Sequence, residues 1–275
     1  GNRAIAITGA PESKIVKGKT ATSDYSMIVT RHYIASEVGN QILLDGGNAI
    51  DASVAVSFAL SVVLPQASPI GGGGFMIIHD ENSDTNYALD YREMAPKAAT
   101  EDMFIVNGEV DRKLALESYL SSGVPGTVKG LYIAHQKFGL LPWKRLVSPA
   151  IKLARDGFIV TETLAKSLES NKEKLAKTSD GREIFFNNGS ILKSGDLLVQ
   201  TDLAQTLELI AQNGPAGFYE GHTAQKIHSD MRKNGGLISS ADLSNYKAKF
   251  RTPIEFNYKD LTILTMPPPS SGGLI

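Results

Sequence analysis

One stretch of sequence constrains the fold more than any other, because it is apolar nearly all the way round a helix. Asn48 has the side chain of an N-cap, Asp51 stands at N3 beside the free amides, and the predicted helix runs from Ala49 to Leu64. Its most apolar part, Ala52–Leu64, is about 13 residues long, whereas a membrane-spanning helix needs about 20. Such a helix must be covered on every side, so the sequence predicts a helix buried in a protein core.

Composition and charge exclude several functional classes. The 275 residues include 28 Lys and Arg against 29 Asp and Glu, a net charge of −1, so the chain offers no broad basic field to nucleic acid. A hydrophobic content of 42% is that of a folded globular protein rather than a disordered segment. The chain has no cysteine, which excludes disulfides, iron–sulfur clusters, thiolate zinc sites and a cysteine nucleophile, but leaves the compartment open.

Hydrophobic periodicity and turn residues predict an α/β chain. No repeat or low-complexity linker interrupts it, so we expect a single domain over residues 1–275. Gly1–Asp24 has no period and is expected to be an extended lead-in without a signal peptide. The predicted helices are 34–43, Ala49–Leu64, Thr127–Phe138, a helix with Pro149 at N1 that stops at Gly157, Thr161–Lys177, Asp202–Asn213, Thr223–Lys233 and one starting near Ser239; the predicted strands are Phe75–His79, Tyr87–Arg92, Ile254–Tyr258 and Leu261–Met266.

The sequence lacks the common patterns of metal, phosphate and serine-hydrolase sites. The histidines are His32, His79, His135, His222 and His228. They lack the spacing of metal ligands and are expected at the surface or on helix flanks, so we predict no metal site. The run Gly71–Gly74 leads into a strand, which indicates close backbone approach to a ligand, to another chain or to packed neighbours rather than a phosphate loop.

Two further polar features have competing interpretations. Ser53, Ser57 and Ser61 are four residues apart on the apolar helix, and we expect them to bond the preceding turn rather than act in catalysis. Arg92 ends a predicted strand between Asp90 and Glu93, where a guanidinium could hold a carboxylate by two parallel hydrogen bonds. From spacing alone, an ion pair of Arg92 with one of the two neighbouring acids is the simpler interpretation.

Several short motifs, taken together, connect this sequence to a known family. The motifs are Gly46-Gly47-Asn48-Ala49-Ile50-Asp51-Ala52, Pro65-Gln66-Ala67, Gly71-Gly72-Gly73-Gly74-Phe75-Met76, Asp90-Tyr91-Arg92-Glu93-Met94-Ala95-Pro96, Gly123-Val124-Pro125-Gly126-Thr127 and Pro267-Pro268-Pro269-Ser270-Ser271-Gly272-Gly273. They stand in the order found in the γ-glutamyltransferases, and from about Lys19 onward the chain resembles that family over nearly its whole length.

The resemblance implies a fold and a two-subunit enzyme. Members of the family are N-terminal-nucleophile hydrolases with an αββα sandwich, made as a precursor that cuts itself into a large and a small subunit. The N-terminal threonine of the small subunit attacks the γ-glutamyl amide, and no metal or organic cofactor is needed. This chain resembles the large subunit, so the resemblance implies no catalytic nucleophile here and a small-subunit partner that completes the fold. The family's large subunit continues beyond the proline-rich block, so we expect further sequence after Ile275.

The resemblance also implies a substrate and one binding residue. The family takes glutathione or another γ-glutamyl donor and passes the glutamyl group to water, an amino acid or a peptide. By its position in the Asp-Tyr-Arg-Glu motif, Arg92 is expected to grip the α-carboxylate of the donor, which reverses the simpler interpretation. Bacterial relatives are usually periplasmic or secreted, and the same location is expected here.

Two alternatives remain open at this point. Relatives of the same fold hydrolyse glutaryl groups from β-lactam nuclei, as cephalosporin acylases do, or transfer poly-γ-glutamate. A chain without a nucleophile could also be a non-catalytic assembly or amino-acid-binding subunit.

Overall fold

A computed structural model describes residues 22–274 of the chain, in two compact units. The first unit comprises residues 22–69 with Phe138–Gly214, and the second comprises Ile70–Lys137 with residues 215–274. The single domain over 1–275 stays a prediction. All but the last three residues of the expected lead-in Gly1–Asp24 lie outside the described residues.

Residues 22–274 contain both helices and strands, in agreement with the predicted α/β class. The helices are α1 (Tyr33–Leu44), α2 (Ala49–Val63), α3 (Arg112–Glu117), α4 (Thr127–Phe138), α5 (Trp143–Asp156), α6 (Glu162–Ser170), α7 (Lys172–Leu175), α8 (Ser179–Phe185), α9 (Thr201–Asn213), α10 (Ala216–Tyr219), α11 (Gly221–Lys233) and α12 (Ser240–Asn245), with short 3₁₀ turns at Tyr119–Ser121 and Gly272–Leu274. The strands are β1 (Phe75–Asp80), β2 (Thr85–Asp90), β3 (Ile105–Val106), β4 (Glu109–Val110), β5 (Phe158–Ile159), β6 (Phe186–Asn187), β7 (Ser190–Ile191), β8 (Leu197–Leu198), β9 (Lys249–Arg251), β10 (Ile254–Tyr258) and β11 (Leu261–Thr265).

The predicted buried helix is the centre of the first unit. Helix α2 packs against α1 and α5. The ring of its largest core side chain, Phe58, lies nearly perpendicular to that of Trp143, with the ring centroids 5.5 Å apart. The hydroxyls of Ser53, Ser57 and Ser61 donate to backbone carbonyls of the preceding turn, at 2.7 to 2.8 Å. The interpretation of these serines as helix-bound groups is confirmed.

A buried carboxylate fixes the start of this helix. Asn48 is the predicted N-cap, it forms a capping box with Asp51 at N3, and Asp51 has no exposed surface. Its carboxylate accepts the backbone N–H of Asn48 at 3.0 Å and those of Leu140 and Leu141 at 3.1 to 3.4 Å. The side chain therefore joins α2 to the segment that leads into α5, and these hydrogen bonds offset the cost of burying a polar side chain.

The prediction of a helix that begins at Pro149 is wrong. Helix α5 starts at Trp143, after Pro142, and Pro149 lies inside it. Its buried side chains Leu146, Val147, Ala150 and Ala154 lie on both sides of the proline, facing α2 and α9. Packing of this continuous apolar face offsets the hydrogen bond that a proline removes from a helix interior, a cost of about 3 kcal/mol. The predicted stop at Gly157, which has φ of 83°, is confirmed.

The second unit contains a three-stranded antiparallel sheet in the order β1, β2, β9. Strands β1 and β2 form the predicted hairpin, and β2 ends at Asp90 rather than at Arg92. Strand β9 was not predicted; it pairs with the last three residues of β2 and places Arg251 opposite Ala88. The predicted strands near the end of the chain form a second hairpin, β10 with β11.

A helix that crosses a membrane must be both long and apolar. Among the described residues, no helix has the combination of the two that a bilayer crossing requires.

A histidine caps the first helix from a mostly buried position. The Nδ1 atom of His32 accepts the N–H of Ile34 at 3.3 Å, and the ring stacks on Tyr33 and meets the edge of Phe158. Its buried Nε2 atom has no hydrogen-bond partner among residues 22–274. Burial lowers the pKa of His32 from its ordinary value of 6.5, since there is no partner for the charged form.

We expect His32 to make the stability of the protein fall in acid. An unfolded histidine binds a proton below about pH 6.5, whereas the folded one resists protonation, so this stability is present above that pH and lost as the pH falls toward the lowered pKa. The substitution His32→Asn keeps a capping acceptor and removes the titration. Melting temperatures measured from pH 7.5 to pH 5 should therefore decline less steeply in His32→Asn than in the unchanged protein.

The matched control is His222→Asn at an exposed position of α11. It should keep the slope of the unchanged protein. An unaltered slope in His32→Asn would contradict the assignment.

Candidate functional site

Arg92 lies where the chain leaves the sheet of the second unit. Tyr91 continues the ladder beyond β2 by exchanging two backbone hydrogen bonds with Gly74, at 3.0 and 3.3 Å. Strand β9 pairs with β2 only as far as Asp90, and Tyr91 is the last residue that pairs on the other side. Arg92 is therefore the first residue beyond the sheet. The sheet therefore fixes the chain immediately before Arg92.

The glycine run packs directly against this segment. A Cβ on Gly73 would lie 2.5 Å from the carbonyl oxygen of Tyr91 and 2.9 Å from the Cα of Arg92. A Cβ on Gly74 would lie 2.9 Å from the Tyr91 ring. Of the interpretations left open for this run, close packing against neighbours within the chain describes these two positions, with backbone at Gly73 and the Tyr91 ring at Gly74.

A second pair of glycines packs against the same segment: Gly126 lies just before helix α4 and Gly130 lies within it. The N–H groups of Gly126 and Thr127 donate to the carbonyl of Gly72, at 2.8 and 3.1 Å. A Cβ on Gly126 would overlap the Tyr91 carbonyl oxygen, and one on Gly130 would overlap the Tyr91 ring. The Tyr91 side chain is consequently enclosed, and its burial raises the pKa of the phenol to about 12.

Hydrogen bonds hold both peptide groups of Arg92. Its N–H donates to Oδ1 of Asp90 at 3.1 Å, and its carbonyl accepts the hydroxyl of Tyr246 at 2.8 Å. The other carboxylate oxygen of Asp90 accepts the Nε of Arg251 at 2.7 Å, in an ion pair whose acid is nearly buried. The backbone at Arg92 is therefore fixed from both sides.

The Arg92 guanidinium is free of acidic partners in the described part of the chain. Its Nη1 donates to the carbonyl of Pro269 at 3.0 Å, and its side chain is exposed. Asp90 pairs with Arg251 instead, and no ion pair of Arg92 with Glu93 is formed among residues 22–274. The simpler interpretation from spacing, an ion pair with a neighbouring acid, is therefore not what the structure has, and donors of the guanidinium remain available to a ligand.

A cavity of about 380 Å³ opens beside this guanidinium. It is lined by Asp90, Arg92, Glu93, Met94, Tyr246, Lys247, Lys249, Arg251 and Pro269. Four of these side chains are cationic and two are acidic, and one acid is already neutralised by Arg251. The cavity therefore favours an anionic group, and the planar fork of Arg92 suits a carboxylate.

The histidines do not gather into a second site. His32 caps α1, His135 is buried within α4 rather than at the surface, and His79 is exposed beside Asn86 and Glu81. Among residues 22–274 no cluster of three His, Asp or Glu side chains has the arrangement of a metal site. The absence of a metal stays a prediction.

Sequence reasoning found Arg92 but missed the residues that hold it. Asp90 and Arg251 are 161 residues apart in the chain, and Tyr246 is 154 residues from Arg92. One of these contacts had a local signal: Asp90 stands two residues before Arg92, a spacing at which an aspartate carboxylate commonly accepts the backbone N–H. Nothing near Tyr246 in the sequence indicates its role.

Comparison with known proteins identifies close relatives. The family model described as gamma-glutamyltranspeptidase matches residues 35–275. A glutathione hydrolase proenzyme of Escherichia coli strain K12 is 50% identical over 250 residues, which is 90% of this chain and 43% of that protein. The chain thus spans less than half the length of this curated relative.

Solved structures share the fold. The structure of Helicobacter pylori gamma-glutamyltranspeptidase matches with a TM-score of 0.90 and 44% identity, covering 93% of this chain and 73% of that one. A cephalosporin acylase from Bacillus halodurans matches with a TM-score of 0.74 and 27% identity, covering 86% of this chain and 44% of that one. The likeness to the first is greater in both fold and sequence.

The glycine packing generates a test within one short run. Gly73→Ala should lower the free energy of unfolding by about 1–3 kcal/mol, because the atoms its Cβ would meet belong to backbone that has little room to move. Gly71→Ala is the matched control, since a Cβ there would meet nothing within 4 Å. Thermal melts followed by circular dichroism should show a lower melting temperature for Gly73→Ala alone; equal melting temperatures for the two variants would refute the packing argument.

Proposed function

Because the chain belongs to the γ-glutamyltranspeptidase family, we propose that it is the large-subunit part of an enzyme that cleaves the γ-glutamyl amide of glutathione and related donors. The enzyme passes the glutamyl group to water, an amino acid or a peptide. One observation within the chain carries the proposal: an arginine with unused donors, fixed at both peptide groups, faces a cavity of cationic character.

Arg92 binds the donor through its α-carboxylate. Two parallel charge-assisted hydrogen bonds fix the position and the orientation of a carboxylate together. Since the γ-carbonyl is joined to that end by a short chain, holding the carboxylate places the reacting carbon within about 3 Å of a nucleophile and removes much of the entropy cost of reaction. Arg92 acts in binding and orientation and takes no part in bond breaking.

The nucleophile belongs to a companion small subunit made from the same precursor. The hydroxyl oxygen of its N-terminal threonine bonds to the γ-carbonyl carbon, the threonine proton passes to a base, and the carbon–nitrogen bond breaks as the leaving amine takes up a proton. Water or an acceptor amine then releases the glutamyl group from the ester. The proenzyme named among the relatives supports such a precursor.

Two alternatives have less support. A cephalosporin acylase shares the fold, but at 27% identity it is a more distant match than the γ-glutamyltranspeptidase structure at 44%. A non-catalytic binding subunit would not need the family's sequence over residues 35–275. A periplasmic or secreted location follows from the resemblance to bacterial relatives, and a chain without cysteine is compatible with it.

Substrate comparison tests the activity. With the complete protein, including its small subunit, we expect kcat/KM for a γ-glutamyl anilide to exceed that for the glutaryl anilide, which lacks only the α-amine, by at least about tenfold. Release of the aniline measures both reactions. Preference for the glutaryl compound would favour the acylase alternative, and absence of turnover with both would favour the binding subunit.

Substitution of Arg92 tests the binding residue. Arg92→Ala should raise KM for the γ-glutamyl anilide by about 30-fold or more, from the loss of about 2–4 kcal/mol of charge-pair binding. Arg92→Lys should recover only part of it, because an ammonium cannot reproduce the planar fork. With the 4-aminobutyryl anilide, which lacks the carboxylate, the unchanged enzyme and Arg92→Ala should be equally poor.

Arg232→Ala, at an exposed position of α11, is the matched control and should leave KM unchanged. A near-normal KM in Arg92→Ala, or an equal loss with the donor that lacks the carboxylate, would refute this role.

A further inference from the structure

We propose that Tyr246 is a positioning residue for Arg92, whose hydroxyl sets the pose of the guanidinium by holding the Arg92 carbonyl. This inference rests on the proposed function, in which Arg92 binds the donor carboxylate. The hydroxyl lies 2.8 Å from that carbonyl oxygen, and Tyr246 lines the same cavity.

Tyr246 is itself rigidly held. Its ring stacks on that of Tyr219, with centroids 5.9 Å apart and planes within 6°. Tyr219 in turn donates its hydroxyl to the carbonyl of Pro125 at 2.9 Å and accepts the N–H of Lys129 at 3.2 Å. The stacked ring of Tyr219, rather than its hydroxyl, is what fixes the ring of Tyr246. A hydrogen bond from a ring held in this way restrains its acceptor more than one from a mobile side chain.

The short helix before Tyr246 is joined to the segment that follows Arg92. Ser239 and Asp242 form a capping box at the start of α12, and the carboxylate of Asp242 also accepts the N–H of Lys97 at 2.9 Å. Tyr246 ends this helix, with its N–H bonded to the carbonyl of Leu243. The hydroxyl of Tyr246 therefore approaches Arg92 from an element already tied to residues just beyond it.

The Tyr246 hydroxyl stays a donor at neutral pH. Burial raises its pKa well above the ordinary range, and the negative charges of Asp90 and Glu93 add to the shift. A neutral phenol can donate to the Arg92 carbonyl, whereas a phenolate cannot. The bond is therefore present at neutral pH, where a donor carboxylate is ionised.

Tyr246 offers a cleaner test than the acid on the other side of Arg92. Asp90 accepts from both the Arg92 N–H and Arg251, so its replacement also breaks a nearly buried ion pair. The one hydrogen bond of the Tyr246 hydroxyl in the described part of the chain is that to Arg92. The substitution Tyr246→Phe removes this bond and keeps the stacked ring.

In the complete enzyme, Tyr246→Phe should raise KM for the γ-glutamyl anilide by about three- to tenfold, as the loss of one hydrogen bond allows. The value of kcat should stay within about twofold, because Arg92 is still present in this variant and still orients the donor once the donor is bound. An unchanged KM would overturn the proposal.

Tyr219→Phe is the matched control for a merely structural role. It removes a hydroxyl from the same stacked pair, but one bonded to Pro125 and Lys129 rather than to Arg92 and outside the cavity lining. It should leave KM within about twofold even where it lowers the melting temperature as much as Tyr246→Phe does. An equal rise in KM in both variants would mean general loosening and would overturn the proposal.

A double substitution shows whether Tyr246 acts through Arg92. In the Arg92→Ala background, Tyr246→Phe should cause no further rise in KM, because the guanidinium it positions is gone. The same fold-increase in both backgrounds would mean that Tyr246 contacts the donor directly, which contradicts the proposal. If Arg92→Ala alone leaves KM unchanged, the proposed function of Arg92 fails; if Arg92→Ala raises KM and Tyr246→Phe does not, only the inference about Tyr246 fails.

Discussion

The close approach of backbone to backbone around Tyr91 and Arg92 is the constraint on which the site depends. Gly73 comes so near the Arg92 Cα, and Gly126 so near the Tyr91 carbonyl, that a methyl group does not fit at either position. Three short stretches of the sequence meet here, Gly73–Gly74, Tyr91–Arg92 and Gly126–Gly130, and each lies in or beside one of the motifs by which the chain resembles its family. These close contacts and the backbone hydrogen bonds hold the segment in place without using the side chain of Arg92. That side chain is therefore available to a ligand.

Much of the fold could be predicted because its signals are local. The capping box at Asn48 and Asp51, the stop at Gly157 and the hairpin of β1 and β2 are each encoded within a few residues. The prediction for Pro149 failed because the rule for proline at a helix start describes a preference of the isolated chain, whereas packing against two neighbouring helices decided the outcome. Strand β9 was missed for a related reason: three residues carry no period of their own and are ordered by pairing with β2.

The site divides in the same way between what is local and what is not. Arg92 could be singled out as a candidate from its motif, since the motif is local in the sequence. Its supports, Asp90 with Arg251 and the hydroxyl of Tyr246, join parts of the chain that only the fold brings together. Spacing alone suggested an ion pair of Arg92 with Asp90 or Glu93. For Asp90 it misled because distance along the chain takes no account of Arg251, which competes for that carboxylate.

That competition explains how Arg92 can remain available to a ligand although Asp90 is two residues away. A carboxylate next to a guanidinium would ordinarily pair with it and would then have to be displaced by the substrate, at a cost in affinity. Here Arg251 occupies one oxygen of Asp90 and the Arg92 N–H occupies the other. The acid thus holds the backbone of Arg92 while its charge is balanced by Arg251. The positive charge of Arg92 is left to the cavity, and a bound carboxylate need displace only the weaker bond to the Pro269 carbonyl.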